Sequence, residues 1–178
     1  GNSRKIAEAN KTLAPYRVSV EPIKLALDEI QHSDPSEITK AKARAAFAII
    51  KKPVVVSDTS WDIPALGGFP GGYMKDIEAW FTADDWLALM NRHTDKTIYC
   101  LEHIAYFDGK MLKHFSYRYK GTFTSTPKGR IQADESFEQV VSLYGGKTMA
   151  EQLANGDIAS AGETLVHWEQ FGEWYSGY

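Results

Sequence analysis

Pro53-Val54-Val55-Val56-Ser57-Asp58-Thr59-Ser60-Trp61-Asp62-Ile63-Pro64-Ala65-Leu66-Gly67-Gly68-Phe69-Pro70-Gly71-Gly72-Tyr73 is the stretch that decides how this chain folds. Val54 to Val56 is a β-branched run of the kind found in strands buried on both faces, and it gives way at Ser57 to polar and then Gly/Pro-rich sequence. The pattern predicts a strand that breaks at Asp58. In open α/β sheets ligands gather beyond the carboxyl ends of strands, so an acid at that place, followed by a glycine-rich loop, is a candidate for metal or phosphate chemistry. Gly67, Gly68, Gly71 and Gly72 supply positive φ or a close backbone approach. Asp58 also suits a plain turn, and the stretch alone leaves both readings open.

At 178 residues the chain forms one large domain, or two lobes sharing a core, and needs no metal or disulfide to bury an interior. A formal charge of −3 and a pI near 6 argue against nucleic acid or an acidic membrane as partner and favour a small ligand. The single cysteine, Cys100, sits in an apolar strand-like run and reads as a buried small hydrophobe in a reducing, cytoplasmic setting. No apolar run is long enough to span a bilayer, and the start does not resemble a signal peptide.

Working outward, Arg4 to Leu13 reads as a helix begun by Asn2 or Ser3 and ended at Ala14-Pro15. Its N-terminal amides, the positive end of its dipole and the Lys5 ammonium together suit a phosphate. Tyr16 to Val20 alternates as a strand. Asp34-Pro35-Ser36-Glu37 carries an N-cap, a first-turn proline and an acid three residues on, predicting a capping box and a helix to about Ile50. Its expected core stripe is Ile38, Ala41, Ala45 and Ile49, with Lys42 at the edge of that stripe. Beyond the central stretch, Tyr73 to Phe81 and Ala83 to Arg92 read as helices. Thr97 to Phe107 and Met111 to Tyr119 read as strands joined by Asp108-Gly109, a hairpin that makes the sheet mixed. Glu138 to Leu143 predicts one more strand, Thr148 to Leu153 a short capped helix, and the tail to Tyr175 a last helix. His32, His93, His103, His114 and His167 lack zinc-ligand spacing, although His103 and His114 flank the hairpin and can face each other.

Four pieces now stand in one order: Gly1-Asn2-x-x-Lys5-x-x-Glu8, Leu27-Asp28-Glu29-Ile30-Gln31, Ser57-Asp58-Thr59 with Ala65-Leu66-Gly67-Gly68-Phe69-Pro70-Gly71, and Tyr73-Met74-Lys75. Together they resemble the inosine triphosphatase family, house-cleaning pyrophosphatases that hydrolyse noncanonical purine nucleoside triphosphates to the monophosphate and pyrophosphate. The resemblance implies one α/β domain over residues 1–178, with a central twisted mixed sheet flanked by helices, two lobes and an intervening cleft, and a homodimer. It implies a magnesium-dependent enzyme with Glu29 and Asp58 as its catalytic acids, Glu29 binding Mg2+ and Asp58 binding Mg2+ or activating the attacking water. Asn2, Lys5, Lys42 and Lys75 would bind the triphosphate, with Phe137 and Glu138 toward the base and Lys147 toward the base or the phosphates. That chemistry is coherent, since attack of water at the α-phosphorus needs carboxylates to hold a hard cation and further cations to stabilise phosphate charge.

The chain departs from the family pattern at several places. The family has an opening strand ahead of its Gly-Asn, which implies a natural N-terminus beyond Gly1. Ser57 stands where a second acid is common. The Phe-Gly-Trp/Tyr-Asp-Pro step is matched only by Glu135-Ser136-Phe137-Glu138-Gln139, and Ala159-Ser160-Ala161-Gly162 replaces a Ser-His-Arg step that contacts a 6-keto purine. Losing those donors predicts altered base preference, because a polar site discriminates largely through the partners it would leave unpaired. The competing expectation is a non-catalytic descendant that binds nucleotide or serves as a scaffold.

Overall fold

The computed structural model describes residues 2–130, 136–143, 146–154 and 165–178, with side chains described from Lys5 onward. Helix α1, Asn2–Leu13, runs into a 3-10 turn over Ala14–Tyr16 that closes on Arg17 with φ of 58°. Residues 18–32 then carry neither helix nor strand, so the strand expected over Tyr16–Val20 is not formed. The reason is local. The Asn10 side chain takes both backbone groups of Val20, accepting from its amide at 2.8 Å and donating to its carbonyl at 3.0 Å, as a neighbouring strand otherwise would.

Helix α2, Pro35–Ile50, begins on Asp34, whose carboxylate accepts from the Ser36 amide at 2.8 Å. The reciprocal half of the expected capping box is replaced. Glu37 turns to Lys40 at 2.8 Å, and the Asp34 amide donates to His32 Nδ1 at 2.9 Å. The buried face of α2 comprises Ile38, Thr39, Ala43 and Ala46, while Ile49 is exposed. Alanines lie all round this helix and leave its rotation undetermined by apolar pattern. The Thr39 hydroxyl is satisfied within the helix by the Pro35 carbonyl at 3.1 Å, so a polar residue can enter the core face. The consequence is that Lys42, three residues from Thr39 and four from Ala46, shares the buried side.

Strand β1, Val54–Ile63, passes through Asp58 instead of breaking there, because Ser60, Trp61 and Ile63 continue to bury beyond it. A 3-10 turn over Pro64–Leu66 follows, then Gly67 and Gly68 at φ of 67° and 95°, a path that only glycine follows without strain. It delivers β2, Phe69–Gly71, back onto β1 with Trp61 opposite Gly71 and Ile63 opposite Phe69. Helices α3, Met74–Glu78, and α4, Ala83–Met90, come next, the latter closed by a reciprocal Thr82/Asp85 cap. Strands β3, Thr97–Phe107, and β4, Leu112–Phe123, are joined by the expected hairpin, in which Asp108 Oδ1 accepts from the amides of Lys110 (2.8 Å) and Met111 (2.7 Å). Strand β5, Val141–Ser142, helix α5, Met149–Ala154, and helix α6, Val166–Ser176, complete the described elements.

The sheet order is β2-β1-β3-β4-β5. The β1–β2 and β4–β5 pairings are antiparallel, and a four-residue turn between β3 and β4 permits only antiparallel pairing. An α/β fold is therefore found, with antiparallel pairing where a mixed sheet was the expectation. The predicted strand over Glu138–Leu143 shortens to β5, preceded by a 3-10 turn at Ser136–Gln139.

The chain divides into two compact units. The first takes its described residues from Gly1–Asp58, Glu102–Tyr117 and Gly162–Tyr178, and the second from Thr59–Leu101 and Arg118–Ala161. In the first, α1 packs on α6 around Ala9, Leu13, Ile104, Tyr106, Trp168 and Phe171. In the second, Trp86 is fully buried among Phe137, Phe81 and Phe69, with Trp61, Met90, Ile98 and Val141 completing the core.

Candidate active site

The first unit brings three of the predicted residues to one point. Asp58, midway along β1, accepts from Lys42 Nζ at 2.6 Å, and Glu29 Oε1 lies 3.2 Å from the same ammonium. Backbone regularity places two of the three, Asp58 by the β1 ladder and Lys42 by the rotation of α2. Glu29 comes from the segment without helix or strand. The Lys42 side chain is 15 % exposed, against 28 % for Asp58 and 45 % for Glu29, so the ammonium is the most enclosed member. Burial pulls the Lys42 pKa down, but its hydrogen bond to Asp58 and the charges of Asp58 and Glu29 outweigh it and hold the group above its ordinary 10.5.

Two carboxylates converging on one cation are the donor chemistry of a magnesium site, since Mg2+ uses one or two protein carboxylates and fills its shell with water and phosphate oxygens. The donor set fits that ion. Among the described residues no cluster of three or more His, Cys, Asp or Glu side chains is arranged to hold a metal.

Beside this cluster, His103 on β3 and His114 on β4 face each other with Nδ1 and Nε2 3.3 Å apart and rings stacked at 5.5 Å, as their places astride the hairpin suggest. Burial first, and then the neighbouring His114, lower the His103 pKa to about 4. His103 is therefore neutral at neutral pH, and burial lowers the His114 pKa as well.

Lys5 lies on α1 and lines a cavity of about 480 Å³ in the first unit, whose wall is formed largely by Ile6, Ala9, Val54, Val55 and Trp168. Ser57, next to Asp58, also lines it. Asn2 begins α1, but its side chain, like Gly1, lies outside the described residues.

Lys75, Phe137, Glu138 and Lys147 belong to the second unit. Lys75 is exposed on α3. Phe137 is 1 % exposed and packs against Trp61 and Trp86, with ring centroids 4.9 Å from each. It is a core residue in this structure and is not open for stacking on a base. Glu138 is half-buried in the 3-10 turn, and Lys147 is exposed just ahead of α5; each has an interaction partner. The Thr148 amide donates to Glu151 Oε2 at 2.8 Å and the Thr148 hydroxyl donates to the Lys128 carbonyl at 2.9 Å, which pins the Pro127-Lys128-Gly129 turn against α5. Glu135 and the Ala159–Gly162 stretch lie outside the described residues.

One constellation escapes sequence reading. Arg118 on β4 donates to Asp62 Oδ2 on β1 at 2.6 Å while its guanidinium lies 4.0 Å over the Tyr99 ring on β3. These residues are distant in sequence, and only the order β1-β3-β4 aligns them across the sheet.

The fold defines the class first. The structure of a Ham1 protein from Coxiella burnetii superposes with a TM-score of 0.72 over 99 % of this chain and 95 % of that one, at 17 % identity. The Staphylococcus aureus Ham1 protein gives 0.63 over 86 % and 82 %. The Ham1 family profile matches residues 1–155, and this chain belongs to the Ham1 family. Among sequence relatives, a dITP/XTP pyrophosphatase of Methanopyrus kandleri is 25 % identical over 98 % of this chain and 93 % of its own length. A dITP/XTP pyrophosphatase of Pyrobaculum aerophilum is 32 % identical over 72 % and 69 %. An inosine triphosphate pyrophosphatase of Yarrowia lipolytica matches more strongly over a shorter span, 43 % identity over 46 % of this chain and 40 % of that one. The inosine triphosphatase resemblance carried by the four motifs is thus met by both sequence and fold.

Proposed function

We propose that this chain is a nucleoside triphosphate pyrophosphatase that converts a triphosphate and water to the monophosphate and pyrophosphate, dependent on Mg2+ and acting on noncanonical or modified purines. The observation that carries the reading is the convergence of Glu29 and Asp58 on one cation point at Lys42 Nζ, 3.2 and 2.6 Å away. Membership of the Ham1 family and the names of its relatives support the reaction class.

Glu29 and Asp58 would hold the ion, which when bound supplies charge neutralisation to the polyphosphate. Asp58, the more enclosed of the two acids, takes the proton of the attacking water. Lys42 stabilises negative charge as it gathers on the phosphate oxygens, a role suited to a compact ammonium on a flexible stem. Asn2 and Lys5 at the start of α1, where helix amides and an ammonium suit phosphate, remain proposed for the triphosphate, as does Lys75. Lys147 remains proposed toward the base or the phosphates. The missing Ser-His-Arg step and the burial of Phe137 support a base preference different from that of a 6-keto purine reader.

The test is pyrophosphate release from ITP, XTP, dITP, ATP and modified triphosphates, with and without Mg2+, by the native chain and Asp58→Asn. Metal-dependent release by the native chain that falls at least about a hundredfold in Asp58→Asn is expected, since the variant loses both a ligand and a base. Equal release by both proteins removes Asp58 from the mechanism. A strong preference for ITP overturns the altered base preference. Nucleotide binding without release by the native chain would instead identify a non-catalytic descendant.

A further inference from the structure

The structure points to a task for Lys42 before any nucleotide arrives. Its ammonium occupies the point at which Glu29 and Asp58 converge, on the oxygens a divalent ion would use. We infer that Lys42 is the resident cation of the nucleotide-free site, holding the two carboxylates together and excluding a divalent ion from them until a polyphosphate draws the ammonium away. The inference rests on reading Glu29 and Asp58 as the acids that hold the ion, and adds what the site does without substrate.

Three features carry it. The Lys42 stem lies along the buried side of α2 beside Thr39, Ala43 and Ala46, which fixes where the charged head emerges. Glu29 stands on a segment with neither helix nor strand, so no sheet ladder or helix places its carboxylate, and its contact with Lys42 crosses between separate parts of the chain. Two carboxylates brought to one point repel unless a cation lies between them, and an ammonium supplies that charge. An ammonium on a four-carbon stem can leave as well as stay.

Ammonium and divalent ion therefore compete for the same oxygens. A triphosphate offers Lys42 new anionic partners and releases the acids, so metal and nucleotide binding become coupled, each strengthening the other by the same factor. The site then loads the ion together with the polyphosphate and holds it weakly alone.

Mn2+ titrated into the nucleotide-free protein and followed by the electron paramagnetic resonance of the free ion tests this. The proteins are the native chain, Lys42→Met, Lys42→Gln, Lys42→Arg and Lys42→Met combined with Asp58→Asn. Removing the competing charge in the Met and Gln variants is expected to tighten Mn2+ binding about tenfold, given the partly buried pair. Lys42→Arg stays near the native affinity, and the added Asp58→Asn abolishes the gain. A non-hydrolysable triphosphate analogue tightens Mn2+ binding to the native chain more than to Lys42→Met. A loss of fold weakens binding, the opposite direction, so a gain cannot arise from structural damage. Equal or weaker Mn2+ binding by both the Met and Gln variants overturns the inference and leaves the acid pair as an ion site. Absence of Mn2+ binding in every protein, with analogue present or not, overturns the inference and the metal-site reading together.

Discussion

Asp58→Asn keeps the shape of the side chain and removes its charge, so it also measures what the cluster contributes to folding. Lys42 would be left 15 % exposed with Glu29 at 3.2 Å as its remaining anion of the pair, in place of the shorter bond to Asp58 at 2.6 Å. Fully exposed ion pairs contribute about 0–1 kcal/mol and breaking a fully buried one costs about 3–5 kcal/mol; the intermediate burial here places the loss at about 1–2 kcal/mol. Urea unfolding at neutral pH is expected to show a lower midpoint with an unchanged slope. The pH dependence gives a second reading. Because the Lys42 pKa is raised in the folded chain, its stabilisation is fully present below the ordinary value of 10.5 and is lost as pH rises through the folded value. Asp58→Asn replaces the charged acceptor with a neutral one and removes one of the two charges that raise it. The gap between native and variant midpoints should therefore be constant from neutral pH up to 10.5 and narrow above it. A midpoint equal to the native one at neutral pH, or a gap unchanged through the alkaline range, would refute the account of Lys42 as an enclosed, anion-held ammonium.

Two further outcomes follow from packing and burial in the first unit. A Cβ at Gly172 on α6 would lie 2.6 Å from Tyr16 Cδ2 and 3.0 Å from Leu13 Cδ2. Overpacking costs about 1–3 kcal/mol against a helix-propensity gain of about 1 kcal/mol, so Gly172→Ala should lower stability by about 1–2 kcal/mol in thermal unfolding, and a raised melting temperature would contradict the α1–α6 contact. His167, on α6, has its pKa lowered to about 3 by burial and then by the charges of Lys5 and His103. With a depressed folded value, its favourable neutral state is fully expressed above the ordinary 6.5 and the stability is lost as pH falls toward about 3. His167→Gln should flatten that acid limb of the unfolding midpoint against pH; an unchanged limb would show that His167 is not the buried titrating group.

Much of the architecture is legible in local chemistry. The Asp34-Pro35 start of α2, the Thr82 and Thr148 caps and the Asp108-Gly109 hairpin form where turn and cap residues place them, since each depends on neighbours a few residues away. The reading of β1 fails by length. Polar residues at Ser57 and Asp58 look like a strand end, but a sheet accommodates them mid-strand when the neighbouring alternation continues into Trp61 and Ile63. The expected strand at Tyr16–Val20 fails because Asn10, distant by a turn of chain, satisfies Val20 instead. The stripe of α2 fails because alanine and isoleucine on several sides of a helix do not say which side is covered.

The candidate site divides along the same line. Glu29 and Asp58 are recognisable as acids at motif positions and Lys42 as a cation at the edge of the expected α2 stripe, and the ordered motifs place the chain in its family. The sequence by itself therefore determines the helix starts, the turns, the family and the kinds of charge available for chemistry. Tertiary structure alone decided that Lys42 turns inward with Thr39 and Ala46, that it bridges Glu29 and Asp58, that Phe137 enters the core and that Arg118 meets Asp62 across β3. The physical reason is range. Caps and turns are decided within a few residues, whereas the rotation of a helix and the partner of a charge depend on which distant surface removes it from water.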